Sequence, residues 1–308
     1  MSDVVFLFSG QGAQKVGMGK DFHESSATAR ELFQRADDVL GFPLSTTMFE
    51  GPEEELTRTS RCQPALYLHG LVALALLRER VGGLNPVAAA GLSLGEFTAH
   101  AAAGTFSFED GLRLVARRGE FMEEACAATR GAMAALIGGE EDAVKALAAE
   151  CGVDVANFNA PGQIVLSGTV EGIDAAVEKA RDHGIRRAIK LNVAGAYHSR
   201  LMQSAQDQLS TVLAEVPVRP PAIPVVCNFG ASVVADPAEI RSMLEKQVTG
   251  SVRWTESIRL LCERGQRHFI ELGPGKVLAG LVAKIDKEAT VHSVEDLASL
   301  EAVVELLG

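Results

Sequence analysis

One stretch, Gly91-Leu92-Ser93-Leu94-Gly95, constrains this chain more than any other. A short apolar run over 87–90 precedes it and a helix-spaced segment over 94–103 follows. Gly-x-Ser-x-Gly between a strand and a helix is the nucleophile-elbow pattern. The turn it needs is so sharp that side chains two before and two after the serine would collide, so glycine stands at both places. Ser93 then sits at a helix N-terminus, where N–H groups without helical partners face whatever it attacks. For these residues alone, the competing reading is a serine that caps a helix.

At 308 residues the chain has room for one large domain, or a large one with a small companion. A 47% hydrophobic content with 30 glycines and only 5% aromatic residues suits an α/β enzyme with close strand–helix packing, and excludes disorder. The formal net charge of −11 argues against nucleic acid or an anionic membrane surface as the main partner. Five scattered cysteines (Cys62, Cys126, Cys151, Cys227, Cys262) form no C-x-x-C pair. They read as buried free thiols in a reducing compartment, neither a disulfide framework nor a zinc site. With no basic leader and no apolar run of membrane-span length, the expectation is a cytoplasmic protein.

The run 4–8 reads as a buried parallel strand that ends in a glycine-rich turn, Ser9-Gly10-Gln11-Gly12-Ala13-Gln14. A dinucleotide fingerprint needs a third glycine where Lys15 stands, and no Walker-type Gly-Lys-Ser/Thr occurs. Segments 20–40 and 62–81 have helical spacing. A helix over 108–127 carries Arg113, Arg117 and Arg118, which by residue type form a solvated face. From 132 to 191 the pattern changes to strand 132–137, helix 140–151, hairpin strands 153–158 and 163–167, helix 173–183 and strand 186–191. That β-α-β-β-α-β order is the ferredoxin-like unit. It predicts a small domain, residues 129–195, inserted into a large one, residues 1–128 and 196–308. Helix 201–214, strand 223–227, helices 238–248 and 256–263, strand 268–272 and helix 277–285 follow.

A serine hydroxyl needs a base to take its proton. Of seven histidines, His100 lies on the elbow helix itself, roughly 10 Å along the axis at ~1.5 Å per residue, and cannot reach. His23, His183 and His292 fall on helix or surface segments, His69 is mid-helix and packed, and His268 opens a strand. His198 alone follows an aromatic residue in a Gly/Ala-rich loop at a helix start. The residues alone leave its role open.

Six motifs stand in a familiar order: Gly10-Gln11-Gly12-Ala13-Gln14, Gly91-Leu92-Ser93-Leu94-Gly95-Glu96, Arg118-Gly119-Glu120-Phe121-Met122, Asn157-Phe158-Asn159-Ala160-Pro161-Gly162-Gln163, Ala196-Tyr197-His198, and Gln247 ahead of Trp254. Together, over essentially the whole chain, they resemble the malonyl-CoA:acyl-carrier-protein transacylase family of fatty-acid and polyketide synthesis. The resemblance implies an α/β-hydrolase-like parallel-sheet core with an inserted ferredoxin-like small domain. It implies that Ser93 is acylated by malonyl-CoA and that His198 serves as base and acid. It gives the backbone N–H groups of Gln11 and Leu94 to the oxyanion hole, and has Gln247 orient His198 through its main-chain carbonyl. Arg118 would bind the free malonyl carboxylate. Asn157 and Asn159 would line the pantetheine channel, with Met122 and Tyr197 at the acyl group. No cofactor is implied: malonyl-CoA is substrate, and the acceptor phosphopantetheine belongs to acyl carrier protein. A monomer is expected.

Three residues depart from the family pattern. Leu92 replaces a common histidine before the nucleophile, Ser9 a common proline, and Tyr197 a common phenylalanine. Leu92 is expected to turn away from the site, because neighbouring residues at a strand end point to opposite sides. A serine hydrolase is the first rival, and would want a carboxylate between Ser93 and His198 in the chain. Asp174 and Asp182 are the candidates, both on the expected small-domain helix. A non-catalytic docking protein is the second. Arg186, Arg187 and Lys190, or Lys276 and Lys284, are candidate basic faces for an acidic carrier protein.

Overall fold

The strands, in chain order, are β1 (Val4–Phe8), β2 (Pro86–Gly91), β3 (Gly131–Ile137), β4 (Asp154–Ala160), β5 (Gln163–Thr169), β6 (Arg187–Lys190), β7 (Val225–Cys227), β8 (Ser232–Val233), β9 (His268–Leu272) and β10 (Thr290–Val294). All five residues of β1 are apolar and buried, as a strand covered on both faces requires. In the computed structural model, which describes residues 3–308, β1 lies inside a sheet of order β10-β9-β1-β2-β7-β8. Every pairing is parallel except that of the short β8. Alternate residues of β1 serve two cores. Val4, Phe6 and Phe8 join Tyr67 and Leu68 of the helix Thr59–Arg80, while Val5 and Leu7 join Trp254, Ile258 and Leu281 on the other face.

The second sheet is antiparallel, of order β4-β5-β3-β6. One face packs on the helices Glu141–Cys151 and Val170–Lys179 through Leu136, Leu166, Leu147 and Ile173. The fold class is therefore the expected one, a parallel α/β core with a ferredoxin-like β-α-β-β-α-β unit. The segment before the helix Trp254–Glu263 is tied to β4 by main chain: Phe158 N–H donates to Val252 O at 2.9 Å and Val252 N–H to Ala156 O at 2.8 Å. This bond pair brings β4 and its asparagines beside the end of the parallel sheet.

Several boundaries differ from expectation for local reasons. The helical stretch 20–40 breaks at Ser26, whose extended backbone ends Lys20–Ser25 and whose Oγ caps Ala27–Leu40 by accepting from Ala29 N. The helix expected over 173–183 stops at Lys179, so Asp182 lies in the following turn, closed by Gly184 at φ 72°. The helices Leu44–Glu50, Glu53–Thr57 and Leu297–Leu307 and the strands β8 and β10 add to the elements expected from sequence. Cys151 is half-buried, unlike the other four cysteines. Among the described residues no helix is long and apolar enough to cross a membrane.

Candidate active site

The C-terminal ends of β1 and β2 lie side by side, Phe8 opposite Gly91, and strand ends of this kind are where open parallel sheets place ligands. The turn after β2 presses on β1. A Cβ on Gly95 would stand 2.1 Å from Phe8 O, and one on Gly91 2.0 Å from the Gly95 backbone, so neither position takes a side chain. Between them Ser93 adopts φ 54°, ψ −107°, a conformation that persists only where neighbours over-determine it. Asn228, just past β7, does so: its Oδ1 accepts from Ser93 N at 2.6 Å and its Nδ2 donates to Gly91 O at 2.8 Å.

His198 Nε2 stands 2.8 Å from Ser93 Oγ, and His198 Nδ1 stands 2.8 Å from the Gln247 carbonyl. A carbonyl only accepts, so Nδ1 carries the hydrogen and the Nε2 lone pair faces the serine. Burial, then the nearby Arg118 charge, lowers the imidazole to about 4, which keeps it neutral and able to take a proton at neutral pH. Among the described residues no carboxylate backs it. Asp174 pairs instead with Lys190 at the surface, 2.5 Å away.

Arg118 is 1% exposed. Its Nη2 donates to Ser93 Oγ at 3.1 Å and to Gln247 Oε1 at 2.9 Å, its Nη1 donates to Gln63 Oε1 at 2.8 Å, and its Cζ lies 5.1 Å from the Phe97 ring centroid. Nε has no partner among the described residues. Burial draws the guanidinium down to about 10, so it stays charged. A solvated face of arginines is thus right for Arg113 and Arg117, which pair at the surface with Asp110 and Glu120, and wrong for Arg118. The helix Phe108–Ala128 explains the difference: Arg118 falls four after Leu114 and four before Met122, on the buried stripe.

A cleft of about 500 Å³ opens in front of these groups, bordered by Gln11, Leu94, Met122, Asn157, Asn159 and Tyr197 among others. The backbone N–H groups of Gln11 and Leu94 donate no hydrogen bond among the described residues. Tyr197 OH is fixed by Thr59 Oγ1 at 2.6 Å. Asn159 Oδ1 has no hydrogen-bond partner among the described residues. Leu92 packs into the second core cluster yet still borders the cleft, so it does not turn wholly away.

The profile of the acyl transferase domain family matches residues 5–306. Malonyl CoA-acyl carrier protein transacylase of Bacillus subtilis is 43% identical over 312 residues, covering 100% of this chain and 98% of that protein. The crystal structure of acyl-carrier-protein-S-malonyltransferase from Bartonella henselae superposes with a TM-score of 0.95 at 38% identity, covering 100% of both chains. A malonyl-transacylase solved in complex with a type II PKS acyl-carrier protein gives 0.95 at 36% identity, with 99% of this chain and 100% of that one covered. The chain belongs to the acyltransferase family.

Three side chains that hold this acyltransferase site together were not singled out from sequence: Gln63, Asn228 and Glu96. Asn228 follows an apolar strand at its C-terminal end, a position that could have flagged it. Glu96 is visible as the residue after the second elbow glycine, but motif spacing says nothing of its contacts. Glu96, His100 and Cys227 place ligand-type atoms within 4.8 Å of one another in the core. Metal binding would need a thiolate, and burial pushes the Cys227 thiol strongly the other way.

Proposed function

We propose that this acyltransferase moves a malonyl group from malonyl-CoA to the phosphopantetheine thiol of acyl carrier protein through a malonyl ester on Ser93. The observation that carries the reading is a buried guanidinium 3.1 Å from the hydroxyl of a Ser–His pair. Ser93 Oγ attacks the thioester carbonyl carbon while its proton passes to His198 Nε2. The tetrahedral oxyanion rests against the free N–H groups of Gln11 and Leu94, a preorganised pair of the kind that stabilises charge developing in the transition state. Collapse expels the coenzyme A sulfur, which takes the proton from His198. In the second half the carrier thiol gives its proton to His198, its sulfur attacks the ester carbonyl, and Ser93 leaves with the proton restored.

Arg118 selects the acyl group. Its Nε, unpartnered among the described residues, and the Nη2 hydrogen now given to Ser93 Oγ, which acylation of that oxygen releases, offer two parallel donors to the free malonyl carboxylate. An acetyl group would leave a desolvated cation without its partner, and such mismatches discriminate by about four orders of magnitude. Gln247 orients His198 through its main-chain carbonyl. Tyr197 and Met122 bound the acyl group, the flat ring leaving no room for a methyl branch, and Asn157 and Asn159 line the way for the pantetheine arm. The cleft lies between a catalytic domain, residues 1–128 and 196–308, and a small domain, residues 129–195. One chain supplies every group, so a monomer suffices, no bound cofactor takes part, and the setting is the cytoplasm, where malonyl units feed fatty-acid synthesis. The carrier docks on Lys276 and Lys284, whose helix also turns Val277 and Leu281 to the cleft.

Mixing the protein with malonyl-CoA and holo acyl carrier protein tests the reading. It predicts a malonylated carrier, with charge reversal at Lys276 and Lys284 raising KM for the carrier but not for malonyl-CoA. Malonate released to water would instead mark a hydrolase. Should reversal at Arg186 and Arg187 raise that KM alone, docking moves to the small domain.

A further inference from the structure

Beneath the elbow lies a carboxyl group that no step above uses. Glu96, the third residue of the helix Leu94–Ala102, is fully buried, and a core carboxyl persists only where its oxygens find donors. Its Oε2 accepts from Gln247 Nε2 at 2.6 Å and from Asn228 N at 2.9 Å. The same Gln247 Nε2 donates to the Ser93 carbonyl at 3.0 Å, while Gln247 Oε1 accepts from Arg118 Nη2 at 2.9 Å. A primary amide has a donor end and an acceptor end, and its outline fits this slot either way round. Reversed, it would set its oxygen against the Glu96 and Ser93 oxygens, and its NH2 against a guanidinium. Such unmade hydrogen bonds cost most in a dry interior.

We propose that Glu96 is a positioning residue for acyl-group selection: its carboxyl oxygen fixes the Gln247 side-chain amide with the carbonyl end toward Arg118, and so holds the guanidinium aimed at Ser93. The inference rests on Arg118 as the group that binds the malonyl carboxylate. What the role needs at Oε2 is an acceptor, not a charge. Burial raises the Glu96 carboxyl to about 7, and a carboxyl protonated on Oε1 still accepts through Oε2. Oε1 has no hydrogen-bond partner among the described residues, and a His100 ring nitrogen and the Cys227 sulfur lie within 4.8 Å of a carboxyl oxygen, so no charged partner there demands the ionised form.

The test reads the ratio of kcat/KM for malonyl-CoA to that for acetyl-CoA, which a general loss of fold or activity does not move. Glu96→Ala lowers the ratio by about tenfold or more, the worth of one hydrogen bond to a charged group. Glu96→Gln, which keeps an acceptor oxygen in place, leaves it near the wild-type value. In a Gln247→Leu background, Glu96→Ala causes no further fall, because the amide it acts through is gone. Should Glu96→Ala be insoluble, Glu96→Asp draws the acceptor back by one methylene and carries the same expected fall. An unchanged ratio in Glu96→Ala and Glu96→Asp, a fall in Glu96→Gln as large as in Glu96→Ala, or an equal fall in the Gln247→Leu background overturns the inference while a collapse in Arg118→Ala keeps the reading beneath it. An unchanged ratio in Arg118→Ala overturns that reading itself.

Discussion

On the core wall of the cleft, Ser93, His198, Arg118 and Gln247 are joined by hydrogen bonds of 2.8 to 3.1 Å, and all but the serine are buried. On the opposite wall Asn159 is only half-buried, and residues 192–194 border the cleft while exposed to solvent. The first wall is over-determined and the second is loosely held. Chemistry at a carbonyl needs donors that do not move when charge develops, whereas a long flexible arm presented by two different carriers needs a surface that tolerates both. On this account, damage to the core wall appears in kcat or in acyl selectivity, and damage to the other wall appears mainly in KM.

The largest expected effect is at the nucleophile pair. Ser93→Ala or His198→Ala lowers transfer by about three orders of magnitude or more, as for other nucleophile–base pairs; steady-state assay of carrier malonylation checks it. Arg118→Ala comes next, with the preference for malonyl over acetyl falling by about three to four orders of magnitude while acetyl transfer survives. A fall in both substrates alike would blur the contrast between the walls.

These two predictions rest on residues that were not equally legible. Ser93 could be read because its conformation demands glycines at fixed spacing, and the strand β1 because both its faces are apolar. Arg118 could not be read from residue type, since three arginines in one helix look alike; only the position relative to Leu114 and Met122 separates the buried one from its neighbours. Asn228 and Gln63 act through contacts across 135 and 55 residues of chain, and no local pattern encodes such a partner. The strand β10 is not legible in the sequence because its half-buried Thr-Val-His-Ser-Val stretch carries little apolar signal.

Smaller effects separate the two walls further. With His198 lowered to about 4, kcat/KM for malonyl-CoA keeps its acid limb near pH 4, well below the value of an ordinary imidazole. Removing the Arg118 charge raises that limb, since the charge is one of the two causes of the lowering; a pH–rate profile of both proteins decides it. Asn159→Ala, on the loose wall, raises KM for malonyl-CoA by up to about tenfold with kcat little changed, the scale of one neutral hydrogen bond. The weakest effect concerns stability. Burial holds His69 at about 4, His100 at about 3 and His198 at about 4, so the unfolded chain takes up their protons first as pH falls below 6.5. Stability contributed by these three is intact above pH 6.5 and drains away toward pH 4. Glu96, raised to about 7, acts in the opposite sense. Urea midpoints at pH 7.5 and pH 5 check the net decline, which Glu96→Gln makes steeper.

Intact-mass measurement after brief exposure to malonyl-CoA, without carrier protein, reads the covalent step on its own. One added malonyl group is expected, located on Ser93, absent in Ser93→Ala and discharged when a phosphopantetheine thiol is supplied. An unmodified protein, or an adduct that persists in Ser93→Ala, would contradict it.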